Sequence, residues 1–294
     1  MKRSRMTREK QQMMYGALYI LPAFIVIMAF SVVPIVLAIY FSFTKYNMNI
    51  APDWVGLTNY FNVLKSKIFY SAVWNTVKYV IITVPIQTIL ALSVAVLIAE
   101  KARNLYGSFL KSVIFIPVII SNIAAAAVWK VMFKTNGGII NTAIGLLGMD
   151  NVNWLGSKEL AFTCVCIVTI WKNVGYYMVI YYAAVLGIPK EQQEAAVIDG
   201  ASSLQRFRFV TVPNLRPITY MIVTLGIISS FQIFDIVFQL TGGGPGTSTI
   251  TLAYMVYTYA FSNQKLGYAS AIAVILLIFV LLIQRLQDML FKER

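Results

Sequence analysis

The sequence contains no histidine. Histidine-based triads, HExxH zinc sites and imidazole proton relays are therefore excluded at the outset. There are only two cysteines, Cys164 and Cys166, and both lie inside one apolar stretch. That placement suits neither a disulfide framework nor a spaced metal site, and they read as small core residues. Charge is also scarce: 12% of the residues are charged, against about 25% in soluble domains. In contrast, 59% are hydrophobic and the mean hydropathy is +0.74, so water is not the main solvent of this chain. The charge that remains is mostly basic, 24 Lys and Arg against 11 Asp and Glu. These cations sit between apolar runs and at the chain ends rather than in a soluble patch, which speaks for a lipid bilayer as partner and against nucleic acid.

Six apolar runs are present, at about 15–43, 73–99, 109–133, 160–186, 216–240 and 266–287. Each is close to the ~20 residues that a hydrocarbon layer of ~30 Å requires per helix. The expected fold class is an all-α polytopic membrane protein with six transmembrane helices, forming one domain over 15–294 behind a basic segment, 1–14. The first run is longer than a signal-peptide core and lacks a small-residue cleavage site, so it reads as a retained span. Pro85 and Pro117 fall within the second and third runs and are expected to make ordinary kinks. Lys and Arg concentrate in the N-terminal segment, 100–112, 187–217 and the C-terminal tail, and are sparse in 44–71, 134–159 and 241–265. By the positive-inside rule both termini are expected to be cytoplasmic. The connections on the other side are rich in Asn, Gly, Pro and Thr, as in Thr241-Gly-Gly-Gly-Pro-Gly-Thr247, which reads as a constrained external turn.

The most informative connection is the cytoplasmic loop 187–215. Pro189 suits a helix start, Glu191 and Glu194 suit the positive end of its dipole, and Gly200 suits its stop, which predicts a short helix over Pro189–Asp199. Ser202 and Ser203 are placed to cap a second helical piece that Pro213 is expected to break. The prediction is a helix, a sharp elbow and another helix, with Ala195, Ala196, Ile198 and Ala201 forming a small apolar surface beside Glu194 and Asp199.

Glu194-Ala-Ala-x-x-Asp-Gly-Ala201, followed by Phe207, Val212-Pro213 and Pro217, resembles the EAA loop of binding-protein-dependent importer permeases. Trp129 with Phe133, Gly138 and Asn141, Trp171-Lys172 before Ile188-Pro189, and Phe234-Asp235 leading to Thr241-Gly-Gly-Gly-Pro245 extend the resemblance along the chain. The sequence is similar to the carbohydrate permeases of the maltose-transporter type, in a compact form with a short external loop at 44–71. The resemblance implies a type I ABC importer transmembrane fold in a bacterial cytoplasmic membrane. It also implies four kinds of partner: a second homologous permease, forming a heterodimer, two ATP-binding cassette subunits and an extracytoplasmic solute-binding protein. ATP and Mg would be held by the cassettes, with no cofactor or metal on this chain and no catalytic residue. The coupling residues carried over are Glu194, Ala195, Ala196, Asp199, Gly200, Ala201, Phe207 and Pro213. No GxxxxGK[ST] phosphate loop occurs in the chain itself. The Gly-rich external turn would help to dock the binding protein.

Polar side chains at membrane depth often line a path. Asn173, Tyr176 and Tyr177 are spaced to share a face of the fourth span, and Gly226, Ser229 and Ser230 form a strip on the fifth. These six either border a solute path or serve helix packing. Lys172 and Asp235 are expected to snorkel or to form a structural pair. A secondary transporter coupled to ions or protons is the alternative reading, but it calls for intramembrane ionisable pairs and inverted repeats that the sequence does not offer. An intramembrane aspartyl protease would need a second aspartate beside Asp235.

Overall fold

A computed structural model of the protein describes residues 8–101 and 105–291. Much of the basic N-terminal segment, Arg103 and the last three residues lie outside the described residues. The first apolar run forms α1 (Arg8–Ile27) and α2 (Val33–Ser42), joined through a π-helical turn at Met28–Val32. Pro34 cannot donate to the ladder, and the turn accommodates it: Val33 N bonds to Met28 O, one residue further back than in an α-helix. The apolar stretch Tyr15–Ser42 buries none of its most hydrophobic window against the rest of the chain. Apart from the part of α2 that meets α15, it is a rod left for lipid or another subunit to cover.

A hairpin follows, β1 (Thr44–Asn47) paired antiparallel with β2 (Ile50–Trp54), then α3 (Thr58–Lys65) and the long α4 (Lys67–Lys101). Helix α4 runs unbroken through Pro85 and carries the chain from the hairpin end of the bundle to the opposite end. Its main partner is α8 (Lys158–Leu186), with Cys164 and Cys166 buried among Tyr79, Phe162, Val165 and Val237.

The third run is not one kinked span. It is α5 (Leu105–Ile119) and α6 (Asn122–Met132), bent by 99° at the break between them. A side chain of another helix holds the end of α5 before the break. Lys172 is buried, and its Nζ sits 3.4 Å from Pro117 O and 3.3 Å from Val118 O, a cation set on the carbonyl end of α5. Beyond the break, the Ser121 hydroxyl caps α6 by accepting from Ala124 N.

The loop that follows holds α7 (Ile139–Gly145) and is organised by one buried side chain. The Asn141 amide donates to Lys134 O, Thr135 O and Val152 O, and its carbonyl accepts from Val152 N and Trp154 Nε1. Asn141→Ala would strand several buried backbone groups at ~1–3 kcal/mol in total. The expected result is a lower melting temperature and faster amide exchange across 134–156 than in the unmodified protein.

After the loop at 187–215 the chain enters α12 (Arg216–Phe231), breaks at Gln232–Phe234 and resumes as α13 (Asp235–Leu240). The fifth run is therefore also divided, and α12 alone, at 16 residues, is ~24 Å long, short of a ~30 Å hydrocarbon layer. Tyr15–Ser42, Lys67–Glu100, Lys158–Leu186 and Leu266–Met289 are long and apolar enough to cross, and the bent α5–α6 pair gives a fifth crossing if counted as one. The chain ends with α14 (Leu252–Tyr257) and α15 (Leu266–Phe291), which packs against α2. Gln287 Nε2 donates to Tyr220 O and Thr224 Oγ1, placing the C-terminal part of α15 beside the start of α12.

Candidate functional site

The loop at 187–215 is the elbow that its residues predict. Its first arm is α9 (Lys190–Ile198), with Pro189 at the N-cap position and Asp199 at the C-cap. Gly200 N bonds to Val197 O and Ala201 N to Ala196 O, the two reversed bonds of a Schellman motif. That closure needs a left-handed residue after the cap, and Gly200 supplies it at φ +77. Ser202 then opens α10 (Ser203–Arg206) with a capping box: Ser202 Oγ accepts from Gln205 N, and Gln205 Oε1 accepts from Ser202 N.

Pro213 does not end this second arm. A π-helical turn at Phe207–Thr211, in which Val212 N bonds to Phe207 O, accommodates the proline as the turn at Met28–Val32 accommodates Pro34. The chain runs on through α11 (Val212–Asn214) and Leu215 into α12, with Leu215 N bonded to Thr211 O and Thr219 N to Leu215 O. The elbow and α12 therefore form one helical path. The two arms are also tied to each other, Asn214 Nδ2 donating to Gln192 Oε1 at 2.7 Å and Gln193 Nε2 to Thr211 Oγ1 at 3.4 Å. Sequence reasoning missed these ties, because nothing local signals a pairing of residues about twenty positions apart.

At the bend, Ala195, Asp199 and Gly200 are exposed and Ala196, Ala201 and Phe207 half-buried. Ile198 is 85% exposed and Leu204 75% exposed, an uncovered apolar tip wider than the alanines alone. Glu194 faces the other way. With Lys190, Gln193 and Arg206 it lines a cavity of about 580 Å³ between the elbow and the ends of α4 and α8.

At the far end of α12 a second, smaller cavity of about 270 Å³ brings together Asn173, Ser229 and Ser230 with Asn122, Gln232 and Asp235. It sits where both broken runs change direction. Asp235 Oδ2 accepts from Asn122 Nδ2 at 3.0 Å, so the aspartate is tied across the two breaks and not to Lys172. The buried Tyr79 hydroxyl also borders this space, beside Thr169, whose own hydroxyl donates to Val165 O. Asn122, Gln232 and Tyr79 were not singled out in the sequence; only the backbone breaks bring them to the cavity.

The other three path candidates lie elsewhere. Tyr177 is buried with Met178 and Tyr181 in the core between α4, α8 and α12, whereas Tyr176 is 46% exposed, so the face they were expected to share is divided. Gly226 lies at a close approach of α12 to α4, where an added Cβ would stand 2.9 Å from Gln87 Nε2. The turn at 241–249 is tightly held: Thr249 Oγ1 bonds Thr241 Oγ1 and Gly244 O, Tyr254 Oη donates to Gly242 O, and Asn75 Nδ2 donates to Thr247 O and Ile250 O.

A helical membrane bundle with broken inner helices and a capped elbow at one end defines a permease-type protein. The chain belongs to the binding-protein-dependent transport system inner membrane component family, whose model matches residues 55–293. It is 32% identical over 268 residues, 90% of each chain, to the trehalose/maltose transport system permease protein MalF of Thermococcus litoralis. It is likewise 32% identical over 281 residues, 94% of each chain, to a probable starch degradation products transport system permease protein, AmyD, of Thermoanaerobacterium thermosulfurigenes. Its fold matches a chain of a bacterial ABC transporter involved in the import of the acidic polysaccharide alginate, with a TM-score of 0.85 and 20% identity over 97% of this chain and 96% of that one. The type I importer transmembrane fold is thereby established.

Proposed function

We propose that this chain is one permease subunit of an ATP-driven importer that carries a sugar or oligosaccharide into the cytoplasm of a bacterium. The observation that carries the reading is the helical path from Ser202, at the elbow, to Ser229 and Ser230, at the polar cavity. A cassette ATPase gripping the exposed tip at Ile198 and Leu204 has a direct connection to the place where a solute would sit. The motor shifts the pore only through a difference in its affinity for the two elbow positions, and ATP-driven closure of the cassettes supplies that difference. ATP and Mg reside on the partner, and this subunit transmits work without catalysing a reaction. Both termini and the elbow face the cytoplasm, six crossings are completed by α12 with α13, and the cavity is closed by a second, homologous permease. Two cassettes and an extracytoplasmic binding protein complete the complex. The sugar assignment is supported by the names of the relatives and by an amide and hydroxyl lining suited to sugar hydroxyls.

The test is recovery of the tagged chain from its native membrane in mild detergent. Copurification of a cassette ATPase, with binding-protein-stimulated hydrolysis in the recovered complex, is the expected outcome. A chain recovered alone from membranes that still show proton-driven uptake would overturn the reading.

A further inference from the structure

Another cavity is at the opposite end of the bundle from the elbow, between the β1–β2 hairpin, α3 and the turn from α14 into α15. Its volume is about 720 Å³, within the ~300–1,000 Å³ typical of small-ligand sites, whereas the inner cavity at about 270 Å³ falls just below that range. Five amide side chains line it, Asn47, Asn59, Asn62, Asn263 and Gln264, of which Asn59 already donates to Ser42 O and Thr44 O. Amides present a donor and an acceptor together, which matches neighbouring hydroxyls on a sugar ring. Tyr46 and Tyr268 add aromatic faces with a polar edge, the other half of a surface that holds pyranose rings.

Two details show that the lining is incomplete by itself. The Asn47 Oδ1 atom is buried and accepts no hydrogen bond, an acceptor without a donor. Gln264 has φ 51, the only left-handed non-glycine residue among the described residues, a backbone strain of the kind that collects at binding sites. The charged groups here are Lys45, Lys265 and Asp53, with no arginine fork to grip a carboxylate or phosphate.

We propose that this cavity is a carbohydrate subsite that takes uncharged, hydroxyl-bearing rings of an oligosaccharide outside the membrane. The inference rests on the importer reading for its sidedness. It adds to that reading a reason for the chain to accept substrates longer than the inner cavity holds.

The experiment uses the complete complex in lipid nanodiscs and saturation-transfer NMR with a panel of neutral trisaccharides: maltotriose, cellotriose, mannotriose, xylotriose and raffinose. At least one is expected to bind. The double variant Asn62→Ala/Asn263→Ala should weaken that sugar roughly tenfold, the loss of about two modest hydrogen bonds. Both side chains are exposed and outside the core, so the variant should assemble with its ATPase as before. Binding of no panel member, binding unchanged in the double variant, or a cysteine at position 62 shielded from a thiol reagent in the assembled complex without sugar would each overturn the subsite. In the last case, a partner subunit or the binding protein fills the cavity. A complex that retains its ATPase but gives any of these results refutes the subsite alone, whereas failure to recover an ATPase refutes the importer reading.

Discussion

Gly200→Trp is expected to abolish solute uptake while leaving the protein inserted and folded. The two halves of that result have separate causes. Within the chain, an added Cβ at Gly200 meets nothing within 4 Å, so the only local cost is the left-handed backbone, about 1–2 kcal/mol. Outside it, the indole projects from the exposed bend where the ATPase is proposed to seat. Central residues of such contacts are worth ~2 kcal/mol or more, so uptake should fall at least about 30-fold, with ATPase loosened from the purified complex. Gly200→Ala separates the terms, sharing the strain without the bulk, and should retain most of the ATPase. Glu194→Lys should also abolish uptake, for a different reason: Glu194 faces the cavity behind the elbow with Lys190 and Arg206, and a third cation there repels both. Normal uptake by Gly200→Trp and Glu194→Lys together would refute the coupling role of the elbow. The readouts are radiolabelled sugar uptake in cells and the amount of ATPase recovered with the tagged chain.

The second large effect is structural and falls on Gly175→Leu. On α8, a Cβ at this position would stand 2.2 Å from Ile114 O and 3.1 Å from Phe115 Cα. Both are backbone atoms of α5, so no side chain can swing aside. The helices must separate, and because Lys172 lies one turn earlier on the same α8, the separation also draws its ammonium from Pro117 O and Val118 O. Overpacking of this kind costs ~1–3 kcal/mol even where side chains yield, and more against backbone. Gly175→Leu is expected to aggregate on detergent extraction, and Gly175→Ala to lower the apparent melting temperature by several degrees. Gly145→Ala, on α7 with nothing within 4 Å of the added carbon, is the control and should melt near the unmodified protein. Equal melting of Gly175→Ala and Gly145→Ala would show that α5 and α8 are not packed this closely.

What the sequence revealed was local. The elbow was legible because its signals lie within a turn of where they act: Pro189 at the start, Asp199-Gly200 at the stop, Ser202 and Gln205 at the restart. The long apolar runs were legible by length. Three features were not. The 99° break after Pro117 has its carbonyl end held by Lys172, more than fifty residues away, and a proline alone gave no reason to expect more than a kink. Pro213 was expected to stop a helix because proline ordinarily does, but a single π-helical turn before it rehouses the missing bond. The spacing of Asn173, Tyr176 and Tyr177 described one face correctly as geometry, but which part of that face meets a neighbour is set by α4 and α12, which bury Tyr177 and leave Tyr176 outside.

The π-helical turn at Phe207–Thr211 has a consequence for how far this family can vary. Such a turn holds one more residue than an α-helical turn, and each residue of a helix advances its side chains by about 100°. Between the bend and the polar cavity, the residue count therefore acts as a phase setting. Gain or loss of a single residue between Ser203 and Ile228 would rotate Ser229 and Ser230 relative to the elbow by about 100°, so the length of this stretch is constrained.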